Sequence, residues 1–145
     1  MREKSIDHVL RATWQGVAKM YNEEASKYGA TMAIAFTLLN VDKEGTPSTA
    51  LGPKMGMEAT SLSRTLKNME DKGLITRTPN PQDGRSVLIF LTDYGVEMRN
   101  VSKEKVLHFN NIIAQHISEE KINHFYEVTS LIYEFIQDKK FFNND

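Results

Sequence analysis

The stretch NPQDGRSVLIFLT, residues 80–92, sets Asp83 and Arg85 on either side of Gly84, directly before a run of β-formers. An aspartate in a turn accepts hydrogen bonds from nearby backbone N–H groups and stiffens it, and a glycine lets the chain turn tightly. The expectation is a hairpin loop with Arg85 extended at its tip. A guanidinium held in that way suits a narrow DNA minor groove, where the negative potential is strongest. Without its surroundings the same arginine also reads as an exposed loop residue paired with Asp83.

A second group of polar side chains lies just upstream, in GMEATSLSRTLKNMEDKGLITRT, residues 56–78. Leu62, Leu66 and Met69 fall at i, i+4 and i+7 on one face of a helix, and Thr60, Ser61, Arg64, Lys67 and Asn68 fall on the opposite face. Gly73 is placed to end that helix in a left-handed cap. Arginine can pair bidentately with guanine O6 and N7, and hydroxyls reach bases or phosphates. Thr60, Ser61 and Arg64 are therefore candidate groove contacts, with Ser63, Lys67 and Asn68 closer to phosphate. A solvated amphipathic face is the plain alternative, and the hairpin that follows the helix directly argues against it.

Other chemistries find no residues to perform them. There is no nucleophile elbow and no dinucleotide fingerprint, and GPKMG lacks the Lys-Ser or Lys-Thr of a phosphate loop. Neither an enzyme nor a cofactor is expected. His8, His108, His116 and His124 make no metal motif, since His108 and His116 are two helical turns apart and no acid or thiol completes a close set. The absence of cysteine excludes disulfides, thiolate zinc sites and thiol redox sensing. No apolar run approaches the roughly 18 residues that span a bilayer, and MREKSIDHVLRATW has charges where a signal peptide needs an apolar core. A cytoplasmic protein without a membrane partner is expected.

Charge alone says little, because the net is −1. Its distribution is uneven: residues 48–92 carry six bases against four acids, and residues 93–145 six against nine. A mildly basic middle suits a DNA-facing segment held by helices that face elsewhere.

The positioning elements can be read from periodicity. Ile6, Val9, Leu10, Thr13, Trp14, Val17, Ala18 and Tyr21 step by three and four through residues 5–27, predicting a long amphipathic helix. TMAIAFTLLNV is apolar almost all round, predicting a helix buried on most sides. Gly45 and Pro47 then break the chain, and Ser48 is placed to cap a short helix reaching Met55. LITRT and SVLIFLT, joined by PNPQDGR, predict a β-hairpin with a longer loop. From a cap at Thr92 or Asp93 a helix runs to about His116. A last helix starts at ISEEK, with Ser118 as half of a capping box, and shows an apolar face of Ile122, Phe125, Val128, Leu131, Ile132, Phe135 and Ile136.

Two short helices, a hairpin and flanking long helices make a winged helix-turn-helix: mainly α with a small β-hairpin wing, its second short helix entering the major groove. LSRTLKNMEDKGLITRTPNPQDGRSVLIFLT resembles the signature region of MarR-family transcriptional regulators. Lys72, Gly73, Leu74, Ile75 and Arg77 stand in the family's L-E-x-K-G-L-I-x-R, and Asp83, Arg85, Leu91 and Thr92 in its D-x-R-x-x-x-x-x-L-T. Two departures stand out: Gly52 and Pro53 replace an alanine and a polar residue, and Glu58 and Ala59 replace Ser-Pro at the start of the reading helix.

The resemblance implies a homodimer on a pseudo-palindromic double-stranded DNA operator, and a repressor released by a small lipophilic or phenolic ligand. It implies one domain over 1–145, with about 30–92 as the DNA-reading unit and about 5–27 and 93–140 as N- and C-terminal dimerisation helices. Trp14, Met20, Tyr21 and Met32 are candidates for the ligand pocket, and the same stripe also fits plain core packing. A winged-helix protein-interaction module without sequence-specific DNA binding is the rival use of such a fold.

Overall fold

The computed structural model describes residues 4–142. The elements run α1 (Ile6–Ser26), α2 (Met32–Asn40), β1 (Thr46–Pro47), α3 (Ser48–Met55), α4 (Ala59–Asp71), β2 (Ile75–Pro79), β3 (Val87–Leu91), α5 (Asp93–His116) and α6 (Glu119–Gln137). The chain divides into two compact units, the first reaching Lys103 and the second starting at Glu104.

In the first unit, α2 is the central helix. Thr31 caps it by accepting the Ile34 N–H (3.2 Å), and Ile34, Thr37 and Leu38 are buried, as its apolar circumference predicts. Around it pack Val41, Leu51, Leu62, Leu66, Met69, Leu74, Ile75 and Ile89, so the core is where α2, α3, α4 and the sheet converge. The helix α1 buries no residue fully. It is joined to α2 by the Tyr21 ring, edge-on to Phe36 at 5.5 Å, and by Asn22 Oδ1, which accepts the Met32 N–H at 2.9 Å.

Pro53 lies inside α3 yet neither delays its start nor breaks it. The helix ends at Met55, so little of it lies beyond the missing N–H. Gly52 is buried, and a methyl there would reach the Met57 carbonyl oxygen (3.2 Å) and Leu62 Cδ2 (3.7 Å). Ser48 does not cap α3: Pro47 holds that position, and Ser48 Oγ instead accepts the Val87 N–H (3.3 Å), fastening α3 to the sheet.

The expected hairpin is present, antiparallel from Ile75↔Leu91 to Pro79↔Val87. A third strand was not anticipated: β1 adds to the other edge of β3 through Thr46↔Ile89 and Pro47↔Leu88, giving the order β1-β3-β2. Two residues, one of them proline, leave no alternation to read. Gly73, at φ 75°, ends α4 with Leu74 N–H donating to the Met69 carbonyl (2.9 Å), the paired bonds of a left-handed helix stop.

The start of α5 is pinned to that stop. Thr92 caps it by accepting the Gly95 N–H (3.0 Å), while its own N–H donates to the Leu74 carbonyl (3.1 Å) and its hydroxyl to the Gly73 carbonyl. Gly95 is buried so closely on this turn that a methyl would collide with the Leu74 carbonyl oxygen.

In the second unit, Ser118 caps α6 by accepting the Lys121 N–H (3.3 Å). The apolar face is present but uncovered: Phe125, Val128, Leu131 and Ile136 are exposed, as is Tyr133, and α6 has no buried residue.

Candidate nucleic-acid interface

The helix α4 turns Leu62, Leu66 and Met69 into the core, and this orientation presents Thr60, Ser61, Ser63, Arg64, Lys67 and Asn68 to solvent, all six exposed. Its strong two-sidedness follows from the strict i, i+4, i+7 spacing of the apolar residues. Arg64 and Lys67 form no ion pair within 4 Å among the described residues. At the head of the helix Glu58 is the N-cap in extended geometry, and its side chain makes no capping hydrogen bond. A carboxylate therefore stands free beside the first-turn N–H groups, where a serine would bond them.

The loop between β2 and β3 is built from two consecutive turns. Asp83 N–H donates to the Asn80 carbonyl (3.3 Å), with Pro81 as the second residue of that turn, and Ser86 N–H donates to the Asp83 carbonyl (3.2 Å). Side chains reinforce both: Asn80 Oδ1 accepts the Gln82 N–H and Asp83 Oδ1 the Arg85 N–H, each at 3.0 Å. Across the base, Asn80 Nδ2 donates to the buried Ser86 Oγ (3.0 Å). Arg85 sits at the third position of the second turn with its side chain 93% exposed, and its Nε lies 3.6 Å from Asp83 Oδ1. Asp83 stiffens the loop as expected. Gly84 does not act as expected: its φ is not among the positive ones, so the asparagine and aspartate side chains, rather than glycine's freedom, make the turn tight.

A contact that sequence reasoning missed joins these two surfaces. Arg77 on β2 donates from Nη2 to Glu70 Oε1 (2.9 Å) and from Nε to Glu70 Oε2 (3.1 Å), a two-pronged pair between the last turn of α4 and the hairpin. Its hydrogen bonds hold the Glu70 carboxyl below the usual carboxylate value and raise the Arg77 guanidinium. Two residues after Glu70, Lys72 Nζ donates to the Gly29 carbonyl (2.8 Å), tying the end of α4 to the α1–α2 turn. Both Glu70 and Arg77 stand at signature positions, which was the available signal.

The candidate pocket residues are not uniformly interior. Trp14 and Met20 are exposed, Tyr21 and Met32 half-buried, and burial pushes the Tyr21 hydroxyl above its usual value. A separate open cleft of about 500 Å³ lies between α3 and α4, lined among others by Thr49, Gly52, Pro53, Met57 and Leu62, and includes none of those four. Among the described residues no three His, Cys, Asp or Glu side chains group to hold a metal ion, and no helix is long and apolar enough to cross a membrane.

The model of the MarR family matches residues 38–87, from the end of α2 to the start of β3. The organic hydroperoxide resistance transcriptional regulator of Bacillus subtilis is 31% identical over 98 residues, 67% of this chain and 67% of that protein. The chain belongs to the MarR family. A second B. subtilis relative, the HTH-type transcriptional regulator YdgJ, is 32% identical over 71 residues, and that match spans 49% of this chain and only 43% of YdgJ. The MarR fold extends well beyond the signature: Staphylococcus aureus MepR, solved as a complex with DNA, superposes with a TM-score of 0.83 over 91% of this chain and 98% of its own, at 18% identity. Both relatives are transcriptional regulators by name, and members of this family are not enzymes.

Proposed function

We propose that this MarR-family chain is a sequence-specific, dimeric DNA-binding regulator of transcription acting in the cytoplasm. The observation that carries the reading is the exposed hydrogen-bonding face of α4, followed in the same unit by a stiffened hairpin tip whose arginine is 93% exposed. In this reading α4 lies in the major groove, with Thr60, Ser61 and Arg64 toward base edges and Ser63, Lys67 and Asn68 toward phosphates. Arg85 enters the neighbouring minor groove, with Asp83 holding the loop. Residues of about 30–92 form the reading unit, and about 5–27 with 93–140 the dimer body. Two copies would hold their reading helices about one DNA turn apart, roughly 34 Å, on a pseudo-palindromic operator.

Repression relieved by a small lipophilic or phenolic ligand completes the proposal, with Trp14, Met20, Tyr21 and Met32 as the residues to probe. The ligand would shift populations of the reading units rather than compete for the groove. The hydroperoxide named for the B. subtilis relative needs a different chemistry here: these residues include no cysteine, so a thiol cannot be the sensor. An effector that binds without reacting fits better.

Selection of bound sequences from random duplex DNA, followed by titration of the best at two salt concentrations, tests the reading. A two-fold symmetric motif with affinity falling steeply in salt is expected. The rival use of the fold, a protein-interaction module, is compatible with the net charge of −1 and predicts no enriched sequence. Arg85→Ala should weaken operator binding by about tenfold or more with a nearly unchanged melting temperature, the size expected for losing one well-placed guanidinium contact. Unchanged affinity would remove Arg85 from the interface.

A further inference from the structure

We infer that Glu70 and Arg77 are positioning residues for DNA recognition: their two-pronged pair clamps the last turn of α4 to the hairpin, so that helix and wing meet one duplex as a single rigid piece. The inference rests on the DNA-reading proposal above and concerns residues that were not assigned to the interface.

The placement of Arg77 is the first argument. It pairs in register with Ile89, which is fully buried, and shares its face of β2 with the buried Ile75 two residues before. Alternation along a strand and matching across it put the Arg77 stem on the core-facing side of the sheet. An arginine there must carry its charge out past the core edge. It does so at the end of α4, where Glu70 receives it with both oxygens.

The choice of acid is the second argument. The last turn of a helix favours cations, because the unsatisfied carbonyls carry partial negative charge. This helix ends instead with Glu70 and Asp71 and has no base in its last turn. Helix stability alone does not explain an acid at that place, whereas a partner reaching over from β2 does. The forked geometry of guanidinium on carboxylate fixes orientation as well as distance, which a lysine's single point of contact would not.

The third argument is what the clamp spans. Between α4 and β2 stand only Lys72, Gly73 and Leu74, with Gly73 in the left-handed conformation. A glycine joint of this kind is where the angle between helix and hairpin can change. The Glu70–Arg77 pair bridges that joint from the outside, while Thr92 holds it from the α5 side. Fixing the angle fixes where the Arg85 tip falls when Arg64 is seated in the groove. Because the Arg77 charge is already matched by Glu70, its role differs from that of a free phosphate-binding cation.

The test uses the full chain, the operator obtained by selection, and random duplex DNA of the same length. Glu70→Gln should lower operator affinity roughly 3- to 10-fold and leave random-duplex affinity and the slope of affinity against salt unchanged. The charge-swapped double variant Glu70→Arg with Arg77→Glu should recover most of the operator-to-random ratio. A purely structural pair would lower the melting temperature and leave that ratio intact, overturning the inference. Tighter binding by Glu70→Gln with a steeper salt slope would also overturn it, identifying Arg77 as a phosphate contact that Glu70 restrains. If the wild-type chain selects no sequence, the DNA-reading proposal itself fails and the clamp falls with it, an outcome distinct from the other two.

Discussion

Glu58 shows at the scale of one residue how this chain departs from its family. It is the N-cap of α4 and makes no capping hydrogen bond, and in the docking proposed above the end of the helix it occupies points toward bases. Glu58→Ser should stabilise the fold by about 0.5–1 kcal/mol through a restored cap, and should tighten DNA binding by removing an unmatched carboxylate. A thermal melt and an operator titration check the two effects separately. Loss of affinity would instead assign Glu58 to a base amino group, the donor that a carboxylate can read. Glu70 carries a pH prediction. Its folded-state carboxyl is held below its usual value by Arg77, so the stability it contributes is present above the ordinary carboxylate range and is lost as pH falls through the lowered folded value. Urea unfolding followed across that acid range should show the wild type losing more stability than Glu70→Gln. The two residues differ in how readable they were. The missing cap at Glu58 follows from local identity, while the pairing of Glu70 with Arg77 depends on the direction in which a strand leaves a glycine stop. In the loop, Gly84 drew attention as the conformationally free residue, and Asn80 and Asp83 turned out to set the turn through side-chain bonds.

At the scale of elements, the tightest junction is where the stop of α4, the start of β2 and the first turn of α5 meet. Gly95 packs on the Leu74 carbonyl, a backbone atom that cannot rotate away from an added methyl. Gly95→Ala should destabilise the fold by at least about 1–3 kcal/mol, read by chemical denaturation, and an unchanged midpoint would show that the junction yields. The two-sided α4 was legible through one dominant periodicity, and the buried α2 through an apolar circumference that needs no preferred face. Ser48 was misread because a serine before a helical pattern is also a donor and acceptor free to bond elsewhere, and the sheet claimed it. Pro53 is tolerated within α3, since a helix that stops two residues later has little left to lose.

At the scale of the whole molecule, the exposed apolar residues are the strongest statement. Phe125 is 59% and Tyr133 64% exposed on α6, and Trp14 is 53% exposed on α1, more large apolar surface than a lone domain ordinarily leaves to water. A second copy is the partner we propose for these faces. Leu131→Asp should yield folded monomers in sedimentation, with helical content retained in circular dichroism, since Leu131 is exposed within the single chain. A stable dimer would place the interface elsewhere. The sequence showed this face by spacing alone but could not say whether its own chain or another covers it, because periodicity names the apolar side and not its neighbour. The three-stranded sheet has a further consequence. The β2–β3 hairpin closes over a short loop, whereas Thr46 and Pro47 reach Ile89 and Leu88 only after the chain has passed through α3, α4 and β2. The hairpin is thus free to assemble early, on the microsecond scale of local contacts, and β1 arrives late as the clasp that shuts the ring. Amide protons in α3 and α4 should then exchange as one cooperative block, released whenever that two-residue clasp unfastens.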